Sequence, residues 1–501
     1  MKKDINNKVV LCIFDGFGFK ISKFYNPTFE AKFFFNLLKS NPHSLLKASG
    51  REVGLPEKQV GGSEVGHMTI GAGRVINQAL NLINEAIFSG EIENKQDILE
   101  FVSQLKANGG VAHIIGLFSS GGIHSHKSHY LWAIRFMKKC GIEVKLHIFL
   151  DGRDTYPKDA LKTLPLELKN SRLNLDDIGT IQGRKFAMDR DGNFDFTNKS
   201  IDAILNANAD LKSVDPLKTI KDMYKKRIFD EEFPIVVMDS YKGASANSGF
   251  FIINFRSDRI VQTIGRLLEF DKNVLTMTNC GQEIDDKIKI IFRNENVKNS
   301  LGEIISDNGI RQLRLAETEK FPHITKFFNG GEERTFSLED RVLIPTKRED
   351  GSGVIISPEM ATPEITEELI KKIKSDKYGF ICVNYASTDV IGHTGDFYMA
   401  ETAIRILDNC IEKVYRQCLE SNYTLIITSD HGNIETMMDK EMSPVKSHTF
   451  SLVPFIVISN DKSLRVVQKI KSLKDVAPTI LDIMGVEKPI EMTGESLIYR
   501  I

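Results

Sequence analysis

The sequence has almost no charge of one sign to spare. Against 67 Asp and Glu stand 66 Lys and Arg in 501 residues, a formal net charge of −1. That removes the global basic field that recruits nucleic acid. The six cysteines (Cys12, Cys140, Cys280, Cys382, Cys410 and Cys418) are scattered, with no CxxC pair. Their spacing argues against a disulfide framework or a structural zinc site and for reduced, buried thiols. No apolar run approaches the roughly 18 residues of a membrane-crossing helix. The N-terminal stretch lacks the charged region, long apolar segment and small-residue cleavage site of a secretory leader. The expectation is a cytoplasmic protein with no membrane and no nucleic-acid partner. Repeats, low-complexity segments and Pro-rich linkers are also missing, so composition marks no domain boundary. Neither a Walker-type P-loop nor a G-x-S-x-G elbow occurs, and Gly71-Ala-Gly-Arg74 does not complete a dinucleotide fingerprint.

What is present is alternation. At roughly 100–200 residues per domain the length calls for more than one domain. Short apolar runs at 8–14, 112–118, 144–150, 234–238, 250–255, 273–277, 379–384, 423–428 and 454–459 each end in small or acidic residues. Near-continuous runs of this length predict strands buried on both faces of a mainly parallel sheet. Between them lie helical patterns such as 398–419, with Ala403, Ile406, Leu407, Cys410, Ile411 and Val414 on one face. The fold class is therefore α/β. Asp15, Asp151, Asp154, Arg256, Asp389 and Asp430 all fall at or just past the C-terminal ends of these runs. Any one of them reads as a turn or cap residue. Together they mark the strand edge where open α/β sheets bind ligands.

Three constellations carry chemistry. Asp389-Val-Ile-Gly-His393, Asp430-His431-Gly-Asn, His448 and Asp15-Gly-Phe-Gly offer three Asp and three His. Hard oxygen with borderline nitrogen suits Mn²⁺ or Zn²⁺ better than Ca²⁺, and there are enough ligands for two ions. Gly61-Gly-Ser63-Glu-Val-Gly-His67 sets a serine among glycines, where its hydroxyl meets a ligand at close range. With no adjacent His base in sequence, Ser63 needs another activator, and a metal can serve. Arg153, Arg184, Arg190, Arg256 and Arg259, with His124, sit in strand-end segments that suggest an anionic-substrate pocket.

The motifs Asp15-Gly-Phe-Gly, Gly62-Ser63-Glu-Val-Gly-His-Met, Gly-Gly-Ile-His124-Ser-His, Asp-Gly-Arg153-Asp154, Gly-Arg184…Asp-Arg190-Asp, Asn-Phe-Arg256-Ser-Asp-Arg259, Ala-Glu-Thr-Glu-Lys320-Phe-Pro-His, Asp389…His393 and Asp430-His431-Gly-Asn follow in order along essentially the whole chain. The sequence closely resembles the cofactor-independent (2,3-bisphosphoglycerate-independent) phosphoglycerate mutases of the alkaline phosphatase superfamily. The resemblance implies an alkaline-phosphatase-like α/β domain, 1–78 plus 299–501, interrupted by an inserted α/β phosphotransferase domain at 79–298. One Mn²⁺ (Zn²⁺ and Co²⁺ being alternatives) is expected on Asp389, His393 and His448. The other is expected on Asp15, Ser63, Asp430 and His431. Ser63 would be the nucleophile, and His124, Arg153, Asp154, Arg184, Arg190, Arg256, Arg259 and Lys320 would line the phosphoglycerate site. The implied reaction interconverts 3-phosphoglycerate and 2-phosphoglycerate through a phosphoserine, in glycolysis and gluconeogenesis. It needs no 2,3-bisphosphoglycerate, and a monomer with interdomain closure to exclude water is expected. The chain departs from the family pattern at Gly62, where Asn is usual, and at Ser120, where Asp is usual.

Two other readings compete. A phosphopentomutase or metal-dependent phosphatase would share the metal residues, but not the arginine motifs. An inactive relative serving as a scaffold would not be expected to keep Ser63 and the Asp and His set intact.

Overall fold

The computed structural model describes residues 7–171, 174–270, 273–293, 297–347 and 357–501. The chain divides into two compact units, Met1–Gln78 with Asn296–Ile501, and Ala79–Glu295. Each is a mixed α/β unit built on an eight-stranded sheet.

The first sheet runs Glu339–Ile344, Gln312–Glu317, Phe380–Tyr385, Lys8–Phe14, Tyr423–Thr428, Val453–Ile458, His43–Lys47, Lys471–Ser472 in spatial order. All of its strands point one way except Val453–Ile458, which pairs antiparallel with both neighbours. Lys8–Phe14 is the centre, Lys-Val-Val-Leu-Cys-Ile-Phe, buried on both faces as its apolar run requires. Its register pairs Ile13 with Asn384 on one side and with Thr428 on the other. The residues that follow these three strands, Asp15, Asp389 and Asp430, thereby reach one edge. The helix Phe397–Glu420 covers one face, its Ala400, Ala403, Ile404, Leu407, Ile411 and Val414 packing in one core with Val10, Cys12 and Ile381.

The second sheet runs Lys289–Phe292, Val274–Thr278, Gly249–Ile252, Ala112–Leu117, Val144–Leu150, Ile178–Gly183, Val236–Met238, Leu211–Ser213. It is parallel except that Val236–Met238 opposes Ile178–Gly183. The C-terminal ends of its central strands lead into the segments that carry His124, Arg153, Asp154, Arg184 and Arg256.

Each apolar run expected as a strand overlaps one. Among the described residues the structure adds strands that the pattern does not show, including His43–Lys47, Ile178–Gly183, Gln312–Glu317 and Glu339–Ile344. No helix of the described residues is long and apolar enough to cross a membrane.

Candidate active site

In the first unit, loops and helix ends past the strands converge on Ser63. This residue opens the helix Ser63–Ala72, where free backbone N–H groups and the helix dipole favour anions. The helix sits close because of Gly66: a Cβ there would come within 2.5 Å of the Asp430 carbonyl oxygen. Gly16, at φ +72°, lets the chain turn directly after Asp15, and a Cβ there would meet Asp389 at 2.9 Å. Gly62 is under no such constraint, since a Cβ would meet only the His448 ring, at 3.6 Å.

Ser63 Oγ donates to Asp15 Oδ1 at 3.1 Å and stands 3.0 Å from His431 Nε2. Lys320, at the end of the short turn after Gln312–Glu317, is 6% exposed and donates at 2.7 Å to Ser63 Oγ, Asp15 Oδ1 and Asp389 Oδ2. The family resemblance groups Lys320 with the phosphoglycerate-binding residues. It stands in this unit, against the nucleophile and the carboxylates. His431 Nε2 lies 3.5 Å from both Asp15 Oδ1 and Asp430 Oδ2, and 3.9 Å from Asp389 Oδ1. His393 and His448 each place Nε2 3.3 Å from Asp389 Oδ1. An antiparallel bridge between Gly432 and Thr449 brings His431 and His448 together as stacked rings 3.8 Å apart.

These residues fit a divalent metal. His448 Nδ1 faces the Gly61 carbonyl at 2.8 Å and His393 Nδ1 faces the Lys446 carbonyl at 2.7 Å. A carbonyl only accepts, so each neutral ring carries its proton on Nδ1 and presents a bare Nε2. The two Nε2 atoms are 3.1 Å apart beside the Asp389 carboxylate, an arrangement that calls for a cation between lone pairs. Asp430 Oδ2 is buried with no hydrogen-bond donor among the described residues. Asp389, His431 and His448 form one group with ligand atoms in mutual reach, and Asp15, Asp430 and His431 form another. The expected division gave His431 to one ion only, whereas its Nε2 is close to the carboxylates of both groups. Carboxylate oxygen with imidazole nitrogen and no thiolate suits Mn²⁺, Co²⁺ or Zn²⁺.

The electrostatics are those of crowded carboxylates. Burial disfavours ionisation of Asp15 and Asp389, but Lys320 and the nearby histidines outweigh it and hold both carboxyls well below the usual range. Burial likewise opposes charge on Lys320 and His431. The surrounding carboxylates override it, raising the Lys320 ammonium and bringing His431 to about 9. Whether proton, ammonium or metal, the carboxylates hold a cation here.

In the second unit a separate cluster forms. Arg184, 3% exposed, donates at 2.6 Å to Asp151 and to Asp154. Asp151 is fixed by Ser119 Oγ at 2.5 Å and by the backbone N–H groups of Arg153 and Asp154. His124 Nε2 lies 4.0 Å from Asp154 Oδ2, and its Nδ1 lies 3.5 Å from Asp258 Oδ1. Asp258 also meets Arg190 at 2.9 Å and Arg256 at 3.3 Å. Arg153 and Arg259 bond only weakly, to Glu231 and to the Met188 carbonyl, at 3.5 and 3.4 Å. Burial, and then the positive charge of Arg184, hold His124 below its ordinary pKa, so the ring is neutral near pH 7. Arg153, Arg190 and Arg256 have half-exposed side chains, so forks remain to take up phosphate or carboxylate.

The structure thus sorts the sequence-derived residues into two constellations: Asp15, Ser63, Lys320, Asp389, His393, Asp430, His431 and His448 in one, and His124, Arg153, Asp154, Arg184, Arg190, Arg256 and Arg259 in the other. Sequence reasoning missed Asp258, inside the motif Arg-Ser-Asp-Arg. It saw Asp151 as a strand-end residue but gave it no place in the site. His67 and Asn384, behind Asp15, also escaped.

Comparison with known proteins gives the family. A family model described as the metalloenzyme superfamily matches residues 7–488. A 2,3-bisphosphoglycerate-independent phosphoglycerate mutase of Ehrlichia canis is 42% identical, the match covering 99% of this chain and 100% of that one. One from Wolbachia pipientis is 41% identical over 98% of each chain. Among solved structures, phosphoglycerate mutase of Leishmania mexicana at low cobalt concentration matches with a TM-score of 0.71 and 26% identity, covering 100% of this chain and 99% of that one. The chain belongs to the 2,3-bisphosphoglycerate-independent phosphoglycerate mutases, isomerases of the metalloenzyme superfamily.

Proposed function

We propose that this enzyme interconverts 3-phosphoglycerate and 2-phosphoglycerate through a phosphoserine at Ser63, assisted by two divalent metal ions, Mn²⁺ first among them. The observation that carries this reading is the environment of Ser63 Oγ, with Lys320 at 2.7 Å, His431 at 3.0 Å and Asp15 at 3.1 Å. Such surroundings favour the oxyanion of a nucleophilic serine.

In the first half-reaction Ser63 Oγ forms a bond to phosphorus, the bond from phosphorus to the substrate's O3 breaks, and that oxygen takes up a proton. In the second, the 2-hydroxyl gives up its proton, bonds to phosphorus, and Ser63 Oγ leaves. Lys320 donates to Oγ as its charge grows, and Asp15 accepts the hydrogen bond that orients the hydroxyl. Phosphoryl transfer of this kind needs positioning and charge neutralisation above all. Asp389, His393 and His448 would hold one metal, and Asp15, Ser63, Asp430 and His431 the other. Bound there, the ions would lower the effective pKa of the serine hydroxyl and neutralise phosphoryl charge. Arg153, Arg190, Arg256 and Arg259 retain the anionic glycerate between the half-reactions, while neutral His124, beside Asp154 held by Arg184, relays the proton. The one Ser63 gives up ends on O3 in the first half-reaction, and the one the 2-hydroxyl gives up ends on Ser63 Oγ in the second, the ring accepting on one nitrogen as it releases from the other. Water must be kept out, because hydrolysis of the phosphoserine would make the enzyme a phosphatase. The proposal includes a role in glycolysis and gluconeogenesis in the cytoplasm, as a monomer, without a bisphosphate primer. The motif order and the identity with named mutases support it over a simple phosphatase.

The test is mutase activity of chelator-stripped protein, with and without added Mn²⁺, in the absence of 2,3-bisphosphoglycerate. Restoration of activity by Mn²⁺ is expected. Release of free phosphate in place of 2-phosphoglycerate would overturn the proposal.

A further inference from the structure

Behind the carboxylates lies a polar chain that the mechanism above does not use. Asn384 Nδ2 donates to Asp15 Oδ2 at 2.7 Å and lies 2.9 Å from His67 Nε2. His67 Nδ1 lies 2.8 Å from the backbone oxygen of Ser63, one helical turn earlier. Asn384 and His67 are both fully buried.

The directions of these bonds follow from chemistry. Asp15 is ionised and only accepts, so the Asn384 amide must point its NH₂ toward Asp15. The second N–H of the same nitrogen then meets His67 Nε2, which must accept. A neutral His67 therefore carries its proton on Nδ1, and the Ser63 carbonyl receives it. Nδ1 also lies 3.1 Å from Asp430 Oδ2, but its N–H is directed to the Ser63 carbonyl. Asp430 Oδ2 is left with its lone pairs free.

We propose that Asn384 and His67 are positioning residues: a buried brace that locks the Asp15 carboxylate to the main chain of the nucleophile Ser63 and keeps Asp430 Oδ2 open for a metal ion. The inference deepens the metal-site reading above and rests on it. Two features make the brace specific. Asn384 stands on Phe380–Tyr385, whose register pairs it with Ile13, two residues before Asp15. His67 is on the same helix as Ser63. A strand and a helix are thus connected through one asparagine nitrogen and one imidazole. Partners of this kind, behind the ligands, orient them and typically set metal affinity by about 10- to 100-fold.

The experiment titrates metal-free full-length protein with Mn²⁺ by calorimetry and follows kcat and KM separately. Asn384→Ala and His67→Ala are expected to bind Mn²⁺ at least about tenfold more weakly, with kcat lowered and KM near the wild-type value, because neither side chain touches substrate. His67→Asn, whose amide can still donate toward the Ser63 carbonyl, is expected to recover part of the affinity. If Asn384→Ala fails to fold, Asn384→Leu keeps the volume without the donor, and the same loss is expected of it. Mn²⁺ affinity within about threefold of wild type in the Asn384 and His67→Ala variants overturns the brace. A loss in His67→Ala that His67→Asn does not diminish overturns its assigned direction. If the wild-type protein itself binds no divalent metal, the metal-site reading fails first, an outcome distinct from failure of the brace.

Discussion

Replacing Lys320 by methionine keeps much of the length of a nearly buried side chain and removes one ammonium. In the structure that ammonium makes three hydrogen bonds of 2.7 Å, to Ser63 Oγ, Asp15 Oδ1 and Asp389 Oδ2. A hydrogen bond to a charged group contributes about 1.5–3 kcal/mol. The bond to Ser63 Oγ strengthens as that oxygen becomes the nucleophile, so its loss falls on the transition state. At ~1.4 kcal/mol per decade, kcat/KM of Lys320→Met is expected to fall by about 10- to 150-fold at saturating Mn²⁺. A second signature comes from the metal-free protein. Breaking a buried ion pair by removing one partner costs about 3–5 kcal/mol, because the other charge is left uncompensated. The metal-free variant should therefore melt below wild type, and added Mn²⁺ should raise its Tm by more than it raises that of wild type, since the ion replaces a missing cation. Lys320→Arg should not rescue fully, because a planar fork cannot place one nitrogen against three acceptors. The assay is steady-state mutase kinetics paired with thermal melts in chelator and in Mn²⁺. A loss under about threefold, less than ~0.7 kcal/mol, together with a wild-type Tm, refutes the reasoning.

Ser63→Ala should abolish turnover and labelling of the protein by phosphoryl-labelled substrate while the metal-free melting curve persists; residual wild-type-like turnover rules out the phosphoserine. Arg256→Ala, which removes a half-exposed fork lying 3.3 Å from Asp258, should cut kcat/KM severely, and a change below about threefold removes Arg256 from the substrate site. Asp230 supplies a pH test of the second unit. Burial raises its pKa to about 6, although Tyr224 donates to it. A raised acid is favoured when protonated, so the fold binds more protons than the unfolded chain between about pH 4 and 6, and this contribution is lost as pH rises through that window. Relative to Asp230→Asn, whose side-chain oxygen can still accept from the backbone of Ala160, the wild-type Tm should therefore decline from pH 4 to 7. Parallel pH profiles would contradict the assignment.

The legible and illegible parts of the fold divide on a physical line. Lys8–Phe14 and Tyr423–Thr428 could be read to the residue, because strands buried on both faces are written in apolar side chains. Gln312–Glu317 is buried just as completely, yet reads Gln-Leu-Arg-Leu-Ala-Glu. It is buried nonetheless: Arg314 donates to Gln312 at 2.7 Å, and its guanidinium lies against the rings of Phe328 and Phe380, 4.8 and 5.4 Å from their centroids. Polar side chains held inside a core by such contacts leave no apolar periodicity to detect. This is also why Lys320 could be reached only through resemblance, since its position depends on that strand. The Asp and His residues of the site were legible because several fell at equivalent strand ends. Asp258, His67 and Asn384 were not, for their roles lie in distances between segments far apart in sequence.

The single reversed strand of the first sheet, Val453–Ile458, has a consequence for how the centre assembles. It forms an antiparallel ladder with Tyr423–Thr428, Thr428 opposite Phe455, so the segment between them leaves and returns at one end of the sheet. Asp430 and His431 lie near the start of that excursion and His448 near its close. Bringing His448 to Asp430 closes a loop of roughly 20 residues, against roughly 400 for Asp15 to Asp430. By the logarithmic scaling of loop entropy, the shorter closure is easier by about 3 kcal/mol. The local excursion is therefore far easier to form in a folding chain than the contacts that reach back to Asp15: three ligands can gather around an ion before the ends of the chain have met.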